Sequence, residues 1–401
     1  MTDLLWPGDH LAGDLMSDAA FLGAMVAVEQ AWLDGTVDAG IAPPDARANL
    51  TEYLSDGDAE AIAREADADG NPVTGLVATL RERTPAPTAT WLHRGLTSQD
   101  VIDSALMLCA RDVLTRIGDE FATQVHALAD LAERHRSTPA LARTLTQAAL
   151  PSTLGVKFSR WLTGVLDAAD PLVGLRSSLP VQAGGAVGTL AASTELAGSV
   201  DGAIALSDAL AATLGLAPAP PWHTTRSAVT RLGDAFVSCC DAWGHIAADV
   251  ATSSRPEIGE FTEGSGGGSS TMPHKNNPIR SVLIRRTALA AAPLGATLHT
   301  AAAASVDERS DGAWHAEWAT LRTLARRTVV AAAHTSELLT GLHVDAARAA
   351  ANLSAAEGLL SEQKSMTELT GRAALPDYTG AADRLVDATL GRARRFIKDT
   401  P

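Results

Sequence analysis

The chain has 401 residues, 46% of them hydrophobic and only 4% aromatic, and carries a formal net charge of −15 at pH 7. That length suggests two or three domains, the apolar share supplies a large core, and the richness in alanine and leucine favours helix. The acidic balance argues against nucleic acid as a partner, and no run of about 18 uncharged apolar residues offers a membrane span.

The N-terminus, Met-Thr-Asp-Leu-Leu-Trp-Pro-Gly-Asp, lacks the basic start and apolar stretch of a signal peptide. Residues 19–39 read as an amphipathic helix, with Phe21, Met25, Val28 and Trp32 at helical spacing. Pro43-Pro44 follows it. The acidic segments 56–58 and 67–70 are rich in turn formers. From Gln99 onward the character changes, with helical stretches at about 100–136, 151–171, 191–215, 224–253, 278–304 and 312–341. Several run near or beyond 25 residues, which suggests a bundle. Their apolar stripes exceed what one chain needs for its own packing, so association into an oligomer is expected. The stretch from Leu342, broken by Pro376 and Gly380, reads as a short helical domain. The expected division is 1–99, 100–341 and 342–401. Three cysteines, with Cys239 and Cys240 adjacent and Cys109 alone, form no disulfide framework. A reducing cytoplasm is the expected compartment.

Chemistry concentrates in three segments. In 264–278, Gly264, Gly266, Gly267 and Gly268 give a flexible backbone, and Ser269 and Ser270 follow. Pro273, His274, Lys275 and Asn277 then set a donor block before a helix. Such a loop suits closure over an anion, where a plain linker would not need the donor block. In 93–100, His93 and Gly95 precede Thr97 and Ser98 at a helix start, a position that attracts anions. An ordinary helix cap is the alternative reading. In 142–153, Arg143 precedes a helix expected to begin at Pro151, and its guanidinium suits a carboxylate. A surface arginine at a loop end is an equal reading of that spacing. The remaining histidines mostly stand singly in helical runs, with no pair at metal-ligand spacing. His223 and His315, each beside a tryptophan, remain open between core and site. No dinucleotide or phosphate-loop fingerprint appears, since the glycines at 264–268 follow no expected strand.

The string Gly268-Ser-Ser-Thr-Met-Pro-His-Lys-Asn-Asn-Pro278 resembles the signature loop of the fumarase/aspartase superfamily. The segment His93-Arg-Gly-Leu-Thr-Ser-Gln-Asp100 and the Arg143-Thr pair resemble further segments of that superfamily. The resemblance covers roughly 15–390. It implies an all-α, three-domain fold whose central helices form a tetrameric core, with sites shared between subunits. It also implies that Ser269 is catalytic and that Lys275 and Asn277 hold a substrate carboxylate. Thr97 and Ser98 would contact carboxylates too, with His93, Arg143, Gln147, Ser270 and His315 around the substrate. No metal or cofactor is implied. Several lyases of the superfamily carry a catalytic histidine five residues after the arginine, where this chain has Ala148. Gln147 can donate a hydrogen bond there but cannot serve as an acid.

The segments 179–190, 221–226 and 307–318, with Gly70-Asn-Pro-Val73, resemble the 3-carboxy-cis,cis-muconate cycloisomerase branch. That likeness implies a tricarboxylate substrate closing to a lactone through an aci-carboxylate. Asn276, at a position often filled by arginine, and the short C-terminal domain depart from the branch. The alternative is a superfamily lyase that eliminates a nitrogen group from a succinyl substrate, as adenylosuccinate or nitrosuccinate lyases do. A non-catalytic protein on the same fold is disfavoured by intact Ser269, Lys275 and Asn277.

Overall fold

The computed structural model describes all residues except 1, 2, 56, 265, 266, 269–271, 273, 274, 400 and 401. The elements run α1 (Asp18–Asp38), α2 (Asp58–Asp69), α3 (Val73–Arg83), α4 (Ala86–Trp91) and α5 (Ser98–Arg134). A hairpin of β1 (Pro139–Thr144) and β2 (Gln147–Thr153) leads into α6 (Leu154–Ser177), α7 (Ala191–Ala197), α8 (Val200–Leu214) and α9 (Ser227–Ser253). Then come β3 (Phe261–Thr262), α10 (Ile279–Ala303), α11 (Ala313–Thr340), β4 (His343–Val344), α12 (Ala346–Ser354), α13 (Ser361–Thr370) and α14 (Ala382–Asp399). Helix dominates, as the sequence predicts. Among the described residues no helix is long and apolar enough to cross a membrane. Two compact units are present: 1–116, 173–236 and 293–327 form one, and 117–172, 237–292 and 328–401 the other.

In the first unit, Ser17 caps α1 by accepting a hydrogen bond from the Ala20 amide at 3.1 Å. Met25, Val28 and Trp32 are buried along its inner face, with Phe21 half-buried at the end. Of the two segments read as turn-rich, residues 58 and 67–69 belong instead to α2, which ends on Gly70 in the left-handed conformation (φ 70°). Asp56 lies outside the described residues. The core of this unit contains an ion network. Arg226 pairs with Asp103 at 2.7 Å and with Glu317 at 2.6 Å, and all three side chains are buried. Asp103 also accepts from Trp314 Nε1 at 3.0 Å and Gln99 Nε2 at 3.2 Å. Burial alone would lower the Arg226 guanidinium, but the two carboxylates override it and hold it above its usual range. Burial pushes Glu317 up, against the pull of Arg226.

In the second unit, Phe158, Trp161 and Phe261 form a ring cluster with centroids 5.2–5.7 Å apart. Trp243 Nε1 donates to Gln124 Oε1 at 2.7 Å, and Gln124 passes a donor to the Ala332 carbonyl. None of the three cysteines forms a disulfide, and all are buried.

Three further elements depart from the sequence reading. The helix expected at 151–171 starts only at Leu154, because Pro151 belongs to β2. Proline has no amide to give to a helix or a ladder, and the N-cap is Thr153, whose Oγ1 accepts from the Val156 amide at 3.2 Å. The stretch 191–215 is two helices: Gly198, left-handed at φ 69°, ends α7, and Ser199 caps α8 by accepting from the Gly202 amide. The glycine loop at 264 does follow a strand, the two-residue β3, which pairs antiparallel with β4. That pairing fixes the base of the loop.

Candidate active site

In the first unit the segment 93–100 is held from several sides. Trp32 Nε1 donates to the Arg94 carbonyl at 2.6 Å, and Arg81 donates to the Leu92 carbonyl at 2.8 Å. Gly95 is left-handed (φ 91°), and a Cβ there would lie 2.9 Å from Ser193 Oγ and 3.1 Å from Leu196. Only glycine allows this approach. His93 is also left-handed (φ 61°), with Nδ1 2.6 Å from Glu29 Oε1. Thr97 occupies the N-cap position of α5 and Ser98 the first turn, both half-buried. The Thr97 amide donates to Asp100 Oδ2 at 3.0 Å, half of a capping box, so the cap reading holds for the backbone. The Thr97 hydroxyl is not used for capping. It accepts a short hydrogen bond from Arg309 Nη2, which also reaches the Ala186 carbonyl at 3.4 Å.

Behind this surface Asp100 is fully buried and accepts from the amides of Thr97, Gly184 and Gly185. Burial raises its carboxyl above the usual range, opposed by those amides and by His223. His223 is buried too. Its Nε2 lies 3.0 Å from the Gly185 carbonyl, and Gln182 Nε2 lies 2.9 Å from its Nδ1. A Cβ on Gly184 would come within 2.4 Å of the His223 ring. Of the two histidines left open, His223 is therefore a core clamp. His315 is exposed and in ring contact with Trp318 at 4.7 Å, with Gly70 beside its Nε2. The segment 307–318 thus meets two others: Arg309 touches Thr97, and His315 faces the Gly70 turn.

In the second unit Arg143 lies on β1, directly across from Ala148 on β2. Its guanidinium grips the buried Glu260 carboxylate at 2.9 and 3.3 Å, and Asn352 Nδ2 reaches the same carboxylate at 2.8 Å. Gln147 is exposed near the hairpin tip and donates to Thr146 Oγ1 at 3.1 Å. The tip residues Leu145 and Thr146 are both left-handed, as a two-residue turn demands, although neither is glycine.

The signature loop is anchored at both ends. A Cβ on Gly264 would lie 2.6 Å from the Gly341 carbonyl oxygen. Glu263 accepts from the amides of Arg280 and Ser281 at 2.9 and 2.8 Å, and from the Ser281 hydroxyl, at the start of α10. An acid at a helix N-terminus matches the dipole. Gly267 and Asn277 exchange backbone hydrogen bonds at 3.0 and 2.9 Å, which brings the two arms together. Lys275 is exposed, and among the described residues its ammonium has no ion-pair partner. Ser269, Ser270 and His274 lie outside the described residues. Among the described residues no group of three His, Cys, Asp or Glu side chains suits a metal ion.

Sequence reading missed Glu29, Arg309, Glu260 and Glu263. The first left a trace: an acid among Met25, Val28 and Trp32 interrupts an apolar helix face. The partners of the others lie too far along the chain to be paired by spacing.

The lyase family model matches residues 24–292. Nitrosuccinate lyase from Streptomyces davaonensis is 42% identical over 374 residues, spanning 89% of this chain and 78% of that one. The 3-carboxy-cis,cis-muconate cycloisomerase of Bradyrhizobium diazoefficiens is 37% identical over 344 residues, spanning 84% and 74%. The crystal structure of the 3-carboxy-cis,cis-muconate lactonizing enzyme from Pseudomonas putida superposes with a TM-score of 0.84 at 29% identity, covering 96% of this chain and 97% of that one. Family match, identity and fold agree, and the chain belongs to the lyase family of the fumarase/aspartase superfamily.

Proposed function

We propose that this lyase breaks or forms a bond β to a carboxylate in a small polycarboxylate whose leaving group departs as a stable anion. The observation that carries the reading is Ala148, set across the hairpin from Arg143. Arg143 supplies a cation there, and the alanine facing it has no proton to give. An amine or amide leaving group needs an acid, whereas nitrite or a carboxylate does not. Within this class, elimination of nitrite from nitrosuccinate to give fumarate is the first reading, supported by the 42% identity. Ser269 removes the proton β to the nitro group, and the electron pair passes into the adjacent carboxylate as an aci-carboxylate. It then forms the double bond as the C–N bond breaks and nitrite leaves. Lys275, Asn277 and loop amides stabilise the extra charge. A serine hydroxyl is a poor base, so positive surroundings must activate it.

The second reading is lactonisation of 3-carboxy-cis,cis-muconate, supported by the three segment likenesses and by the Pseudomonas putida fold. Purified enzyme should release nitrite, read by a colour reaction, together with fumarate absorbance. Loss of the muconate diene chromophore without nitrite release would transfer the assignment to the cycloisomerase. Inertness toward both acids would reject the class.

The protein is proposed to act as a homotetramer with shared sites. Exposed Val282 and Leu289, one heptad apart on α10, are apolar positions that suit a helix-to-helix contact. Arg309 is proposed to hold a substrate carboxylate together with Thr97. Arg309→Ala is expected to raise KM about tenfold to a hundredfold, as for loss of a charge-assisted hydrogen bond of ~1.5–3 kcal/mol. Unchanged KM with a fallen kcat would place Arg309 elsewhere in the reaction.

A further inference from the structure

We propose that Glu29 is a positioning residue that turns His93 into an imidazolium bridge between itself and a substrate carboxylate. This rests on the reading above that the 93–98 segment meets a carboxylate.

Glu29 is wholly buried, yet among the described residues it has a single hydrogen-bonded partner, His93 Nδ1 at 2.6 Å. Its other oxygen, Oε2, is buried with none. Other buried acids in this chain are better satisfied: Asp100 takes three amides and Glu263 three donors. An under-satisfied buried carboxylate is costly, and a purely structural role does not call for one. The residue it holds is itself strained. A non-glycine residue at φ 61° is strained, and such strain clusters at functional sites. The clamps from Trp32 and Arg81 on either side of His93 keep it there.

With Nδ1 committed to Glu29, the ring has Nε2 left. Among the described residues Nε2 makes no hydrogen bond, and the side chain is 17% exposed. Arg81 from α3 feels the charges of both Arg94, on the His93 loop, and Glu29. A substrate carboxylate arriving at Nε2 places His93 between two carboxylates. That geometry favours the doubly protonated ring, so a proton from solvent binds to Nε2 as the ligand binds. No bond to carbon is made or broken in this step.

Calorimetry on the purified enzyme tests this without turnover. Tricarballylate serves as a stable tricarboxylate probe, titrated at pH 8 in buffers of differing ionisation enthalpy. Wild-type enzyme should take up close to one proton per site. His93→Gln should take up none, and Glu29→Gln should take up markedly less and bind at least tenfold more weakly. The double variant should bind no more weakly than the worse single one. Equal proton uptake in wild type and Glu29→Gln, or additive losses in the double variant, would overturn the proposal. If Glu29→Gln does not assemble, Glu29→Asp keeps the carboxylate and should retain proton uptake with weaker binding; loss of uptake there would also overturn it. Failure on both nitrosuccinate and muconate would instead count against the reaction class, and the calorimetry stays independent of it.

Discussion

Replacing Ser269 by alanine is expected to lower kcat by about 10²–10⁴-fold, the span contributed by a positioned proton-transfer group. Fold and assembly should be unaffected, because the loop is anchored elsewhere: Glu263 on the start of α10, Gly264 against Gly341, and Gly267 paired with Asn277. The proton moves only on the way to the transition state, so kcat should fall more than binding. Lys275→Ala should damage both, since a carboxylate charged in the ground state becomes more charged in the intermediate. Ser270→Ala should be milder. Steady-state kinetics with nitrosuccinate, alongside size-exclusion chromatography, checks the set. A dead Ser270→Ala beside an active Ser269→Ala would exchange the roles of the two serines. Activity in both would move proton transfer to His93 or His315.

Arg226→Met should destabilise the fold by about 3–5 kcal/mol, the usual cost of removing one partner from a buried ion pair. The loss is large here because two buried carboxylates, Asp103 and Glu317, are left facing each other without a cation. Trp314 and Gln99 can satisfy only part of Asp103. Denaturant unfolding reads the effect, and a change below 1 kcal/mol would show that the network contributes little. Asp103→Asn with Glu317→Gln should partly restore Arg226→Met, because it removes the orphaned charges. Gln99 also donates to the His223 carbonyl beside the Asp100 cluster, so a looser network should additionally weaken binding at the proposed carboxylate site of Thr97.

The long helices were legible because their apolar stripes repeat over many turns. The predicted 224–253, 278–304 and 312–341 fall within three residues of α9, α10 and α11 at each end. The hairpin was not legible. Its strands are short and partly polar, and the tip carries Leu145-Thr146 where Asn-Gly would have announced the turn. The break at Gly198-Ser199 was written in the sequence as a left-handed stop followed by a cap, but alanine richness on both sides masked it. The site divides in the same way. His93, Thr97, Arg143 and Lys275 stand in contiguous motifs, so they could be read. Their partners could not, because Glu29 and Glu260 lie 64 and 117 residues away from the side chains they hold.

The buried thiols make the native protein silent to cysteine chemistry. Burial pushes Cys109 and Cys240 up to about 12 and Cys239 well above the usual range, so almost no thiolate exists at neutral pH. A maleimide or a nitroxide reagent therefore meets a protein that is effectively cysteine-free. Leu145, 96% exposed at the hairpin tip, is a natural attachment point. A single cysteine introduced there carries one spin label per chain without removing any native residue that packs the core. Dipolar distances between labels on different chains then report how many chains assemble and how far apart their hairpins stand, in solution and without a crystal.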